Sequence, residues 1–141
     1  MKKCDFPLTI HYDFDLKNLS SADILYFNPM LSEGYKKNPF NTTERQYPVE
    51  MPFRIDDTYI LTMDIPIGYQ IDELPKSARV AYNENEGLFE YLIQKGEDNI
   101  QMRVHLKLNK AFFPLDEYST LRDFFAYVVK KENEQVVFKK K

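Results

Sequence analysis

Ala78-Arg79-Val80-Ala81-Tyr82, Phe89-Glu90-Tyr91-Leu92-Ile93 and Ile100-Gln101-Met102-Arg103-Val104-His105-Leu106-Lys107-Leu108 share one pattern: in each, every second residue is apolar. A period of two places those side chains on one face of a pleated strand. The first two stretches are separated by Asn83-Glu84-Asn85-Glu86-Gly87, and the second and third by Gln94-Lys95-Gly96-Glu97-Asp98. Both separators are turn-forming, so three antiparallel strands in a meander are expected.

Working toward the N-terminus, Tyr59-Ile60-Leu61-Thr62-Met63-Asp64-Ile65 reads as a further strand, followed by turns at Pro66-Ile67-Gly68-Tyr69 and Glu73-Leu74-Pro75-Lys76. From Leu8 to Leu16 the residues Leu8, Ile10, Tyr12, Phe14 and Leu16 alternate with Thr9, His11, Asp13 and Asp15. That predicts a strand with one buried face, a turn at Lys17-Asn18-Leu19-Ser20-Ser21, and a second strand over Ala22–Phe27. Pro29, which lacks a donor N–H, stops pairing there. Between Asn28 and Pro52 come four prolines, one glycine and no sustained period. A loop of that length is uncommon in a compact domain and marks the place to look for an interface. Phe40 and Tyr47 are its expected apolar anchors, and Arg45 is placed to bond a carboxylate such as Asp56 or Asp57, or backbone carbonyls.

Toward the C-terminus the period changes after Pro114. Asp116 is positioned to cap a helix on which Tyr118, Leu121, Phe125, Val128 and Val129 share one face. Arg122, Asp123, Lys130 and Lys131 are assigned to the other, wet side. Val136-Val137-Phe138 then reads as a last strand returning to the sheet.

The composition agrees with a β-rich core: 11 Phe and 10 Tyr against no Trp and 4 Gly. Aromatic side chains suit half-buried pleated surfaces. At 141 residues the chain fits one domain, taken as residues 1–141 and as a piece of a larger multidomain protein. The net charge of −3, with both signs interspersed, argues against nucleic acid, which needs a positive field. The closing Lys139-Lys140-Lys141 is a solvated end. No apolar run approaches the roughly 20 residues of a membrane-spanning helix. Met1-Lys2-Lys3-Cys4 lacks the apolar stretch of a leader and reads as a trimmed end.

Reactive constellations are scarce. Cys4 with His11 or His105 is the available thiol–imidazole pair, but Cys4 sits in a terminal stretch, and both histidines occupy the solvent-facing positions of alternating strands. Two separated histidines and one cysteine make no zinc spacing. Asp13 and Asp15 share a strand face and could hold calcium weakly, though hydrated charge is the simpler reading. Tyr35 and Tyr47 in the long loop permit stacking on a sugar. No catalytic residue, cofactor or metal is assigned.

Asn38-Pro39-Phe40, Glu44-Arg45-Gln46-Tyr47-Pro48-Val49, Ile65-Pro66-Ile67-Gly68-Tyr69, Glu73-Leu74-Pro75-Lys76 and the segment from Glu117 to Phe125 running into Val136-Val137-Phe138-Lys139-Lys140 carry a resemblance. Together they resemble the C-terminal domain of Bacteroidetes transglutaminase-like envelope proteins. The resemblance implies a domain of unassigned function that follows a papain-related core, in an exported protein of the periplasm or cell envelope. That family's catalytic Cys, His and Asp belong to the core, and none is matched by Cys4, His11 or His105.

The resulting expectation is an antiparallel β-sandwich, immunoglobulin-like in outline, with one C-terminal α-helix. It would act as a non-catalytic accessory domain packed beside a transglutaminase-like core in the same parent chain. Pro39, Phe40, Arg45, Tyr47 and Pro48 are the candidate interaction or loop-anchoring residues. The alternative is a stand-alone ligand-binding module for glycan or peptide, using the Asn28–Pro52 loop or an open sheet edge.

Overall fold

The structure, a computed structural model, describes residues 8–15 and 22–141. Cys4 and the turn expected at Lys17–Ser21 lie outside the described residues. The elements run β1 (Ile24–Phe27), β2 (Val49–Glu50), β3 (Asp56–Asp64), β4 (Tyr69–Glu73), β5 (Ala78–Tyr82), β6 (Gly87–Lys95), β7 (Asn99–Leu108), β8 (Phe112–Phe113), a 3-10 turn (Leu115–Glu117), α1 (Tyr118–Glu132) and β9 (Val136–Lys140). All strand pairs described are antiparallel. The result is a β-sandwich-like fold with a single C-terminal helix.

The larger sheet has the order β3-β7-β6-β5, which is the expected meander with β3 added beside β7. Alternation does the sorting. Met102, Val104, Leu106 and Leu108 of β7 are buried between exposed Gln101, Arg103 and Lys107. Phe89, Tyr91 and Ile93 of β6 fall on the same inner face. Gly87 stands where Tyr82, Leu108 and β6 converge. A Cβ there would lie 2.7 Å from the Lys107 carbonyl oxygen and 2.7 Å from Leu108 Cδ2, so only glycine fits that approach.

The smaller sheet has the order β1-β9-β4, and a two-stranded ribbon pairs β2 with β8. Three and four strands match the count of an immunoglobulin constant domain, but here the chain's last strand occupies the middle of the smaller sheet. Its Val136 and Phe138 are buried in the same cluster as Phe89, Tyr91 and the helix residues Leu121, Phe125 and Val128. One core therefore joins both sheets and α1.

Several expectations are corrected. Residues 8–15 form no strand, since no neighbouring strand pairs with them among the described residues. The stretch between the two proline-bearing turns is not all turn: β4 pairs with β9 from Tyr69 to Glu73, with a register shift between Ile71 and Glu73. The tight turn at Gly68, whose φ is +86°, returns the chain so quickly that five strand residues carried too little period to be read. Asp116 does not cap α1. It lies inside the 3-10 turn, and the residue at the cap, Glu117, makes no side-chain cap bond.

Candidate functional site

The long connection from β1 to β3 lies along α1, running opposite to it. At the helix C-terminus the Tyr35 backbone N–H donates to Glu132 Oε2 at 2.7 Å. Asn133 Nδ2 donates to the carbonyl oxygens of Tyr35 at 2.8 Å and Val129 at 2.7 Å, joining loop and helix end. Further on, Asn38 Nδ2 donates to the Arg122 carbonyl at 2.9 Å, while Asn38 Oδ1 accepts the Phe40 N–H at 2.9 Å. Near the helix N-terminus the Tyr118 hydroxyl donates to the Thr42 carbonyl at 2.6 Å and lies 2.9 Å from Thr42 Oγ1.

Aromatic edges fill the space between these bonds. Phe40 meets Phe125 with ring centroids 5.2 Å apart and Tyr118 at 6.3 Å, both edge-to-face. Tyr35 meets Phe125 from the other side at 5.6 Å. Such contacts satisfy the ring quadrupoles and bury large areas at once. The loop is thus pinned by hydrogen bonds spaced along the helix with packed rings between them.

The five candidate residues divide. Phe40 is buried, whereas Pro39, Arg45, Tyr47 and Pro48 are exposed. Tyr47, expected as a second anchor, is 75% exposed, because its neighbours in the Arg45–Pro48 stretch also lie out in solvent. Arg45 Nε donates to the Tyr47 carbonyl at 3.3 Å, and its guanidinium stands 5.6 Å over the Tyr118 ring. Asp56 is paired instead with His105 Nε2 at 2.7 Å. His105 is accordingly partly covered and not simply solvent-facing.

Two charged residues at the end of α1 are buried, and sequence reading placed neither of them in the core. Lys131 is 6% exposed; its Nζ donates to the Lys76 carbonyl at 2.6 Å and to Glu134 Oε2 at 2.8 Å, and lies 5.0 Å over the Tyr91 ring. This corrects its assignment to the wet face: the long stem crosses apolar surface to reach the polar groups. The Tyr91 hydroxyl, also buried, has no hydrogen-bond partner among the described residues. Glu132 is 5% exposed. Burial pushes its carboxyl up to about 7; the negative charge of Asp57 adds to this, and the Tyr35 N–H pulls the other way. A signal existed in the sequence, because an acid in the last turn of a helix opposes the macrodipole and needs another reason to be there.

A third polar cluster ties the β5–β6 turn to the start of the helix. Lys110 Nζ reaches Glu117 Oε2 at 2.6 Å and Glu86 Oε2 at 3.0 Å, and the Tyr82 hydroxyl donates to Glu117 Oε2 at 3.2 Å. These groups satisfy one another. Glu132 is closed off from solvent and packed close to Gly34, where an added Cβ would sit 3.3 Å from its Oε2. Among the described residues no group of His, Cys, Asp and Glu is placed to hold a metal. No helix of the described residues is long and apolar enough to cross a membrane. The arrangement is a clamp that fixes a loop.

The pattern of a family described as a "Domain of Unknown Function with solved-structure structure" matches residues 23–138. The chain belongs to this family, DUF3858. The match spans the clamp, both sheets and α1, and leaves the 8–15 segment before it. This DUF3858 domain is similar in fold to the crystal structure of a protein described as a putative protease from Parabacteroides distasonis ATCC 8503, at 18% identity and a TM-score of 0.65. The likeness covers 82% of this chain and 23% of that one. No curated protein matches the chain.

Proposed function

We propose that this DUF3858 domain is a non-catalytic accessory module of a larger transglutaminase-like, papain-related protein of the cell envelope. In that reading it packs beside the catalytic core of the same parent chain and positions partners for it. The observation that carries the reading is the likeness of this whole fold to 23% of a longer chain described as a putative protease. A unit that fills a quarter of such a chain has the size of one domain among several. The polar clusters support it, because their members are occupied in holding the loop and turns in place. Sequencing upstream of Met1 and assaying the parent protein with and without residues 22–141 tests it. Activity should reside in the upstream core and persist, weakened or mistargeted, without this domain. Hydrolysis or acyl transfer by this chain alone would overturn it.

The second reading, a ligand-binding module for glycan or peptide, draws on one observation: the Tyr47 ring stands 75% exposed on the clamped loop, available for stacking. Saturable binding on a glycan or peptide array, abolished by Tyr47→Ala, would favour it over the accessory role.

A further inference from the structure

Residues 8–15 have the alternation of a strand and no ladder. Leu8 is 89% and Ile10 72% exposed, an apolar face left uncovered. The segment is nevertheless attached at two points. Phe14 packs against the core, and the Tyr12 hydroxyl donates to Glu33 Oε1 at 2.9 Å. The Tyr59 hydroxyl is pushed up to about 12 by burial first, and then by Tyr12 and Glu33.

β3 borders the larger sheet and pairs with β7 alone among the described strands. Its ladder shows which of its backbone groups are unused. The Leu108 N–H donates to the Ile55 carbonyl at 2.8 Å and the Ile65 N–H to the Asp98 carbonyl at 2.9 Å, one bond at either end of the same register. Hydrogen-bonded pairs alternate along an antiparallel ladder, so the odd-numbered residues of β3 bond β7. The N–H and C=O groups of Thr58, Ile60 and Thr62 therefore point to the open side. A nine-residue edge of this kind is a template for another strand.

We infer that the open edge of β3 is a strand-docking site and that its occupant is the chain's own segment Leu8–Asp15. The facing is already correct for it. Phe14 packs against the core, so by alternation Leu8, Ile10, Tyr12 and Phe14 fall on the inner side, beside Tyr59, Leu61 and Met63. Thr9, His11 and Asp13 then face water. A one-residue slip would reverse every one of these placements, which fixes the register parity. Docking would cover Leu8 and Ile10 and use the unpaired groups of Thr58, Ile60 and Thr62.

Residue-resolved amide hydrogen exchange on the full chain tests this. The Thr58, Ile60 and Thr62 amides should exchange at least about tenfold more slowly in the wild type than in Ile10→Asp, which places a carboxylate on the inner, apolar face and disfavours docking whichever way the segment runs. Unchanged protection of the β7 amides reports that the variant is folded. Equal exchange of the three edge amides in both proteins would overturn the inference. So would protection that grows with protein concentration, which would assign the segment to the edge of a second copy. A measurement needing no variant is nuclear Overhauser contact from the Ile10 methyls to Tyr59, Leu61 or Met63. Its presence supports docking, and its absence in the wild type sinks it.

Discussion

The carboxylate of Glu132 accepts the backbone N–H of Tyr35 at 2.7 Å, joining residues 97 positions apart in the chain. The bond couples the end of the helix to the start of the loop, and it places a titrating group where water is excluded.

The folded-state pKa of Glu132 is raised to about 7 from 4.5, so the folded protein binds a proton that the unfolded chain has released at intermediate pH. The stabilisation is fully present below about pH 4.5 and is lost as pH rises through about 7. Its size is about 3 kcal/mol across that window. Denaturant titrations from pH 4.5 to 8 should show this decline, and Glu132→Gln, which keeps an acceptor for Tyr35, should flatten it. A wild-type profile parallel to that of the variant would refute the assignment.

Phe125 is 1% exposed and is touched by the rings of Tyr35, Phe40 and Phe124. Phe125→Ala should cost about 3–5 kcal/mol, through lost burial and the cavity left behind. An unchanged melting temperature would contradict the packing.

Arg45 and Phe40 are five positions apart and should behave differently. Arg45→Ala removes one exposed hydrogen bond and one cation–π contact, worth about 0.5–1 kcal/mol at an exposed site. Phe40→Ala empties the space between Tyr118 and Phe125 and should cost about 3 kcal/mol or more. Comparable losses from the two in chemical denaturation would mean that Arg45 holds the loop as firmly as the ring does.

Gly87→Ala should destabilise by about 1–3 kcal/mol, because the new methyl meets the backbone of β7, which cannot move aside without breaking the ladder. Thermal denaturation checks it, and a neutral result would place β6 farther from β7 than the structure does.

The meander, the helix and the closing strand were legible because each is long enough to repeat its period several times. Met102, Val104, Leu106 and Leu108 need no partner to announce a buried face. β4 was not legible, since Tyr69–Glu73 is short and framed by proline turns. The Leu8–Leu16 pattern was legible as a pattern, yet pairing depends on a neighbour, and residues 8–15 have none within the described structure. At the clamp, Phe40 could be found as an apolar residue among polar ones. Tyr47 looks equivalent in sequence and differs because only the three-dimensional path decides which ring meets α1. Lys131 and Glu132 were missed for a related reason. Charge argues for water, and what overrides it is a set of backbone partners contributed by Lys76 and Tyr35, far away in the chain.

The position of β9 has a consequence for the order of folding. Since β1 and β4 flank it and do not pair with each other, the smaller layer closes only when β9 arrives to bridge them. That closure joins segments distant in sequence, whereas the meander is built from local hairpins, so the larger layer is set to assemble first and the smaller one to latch onto it.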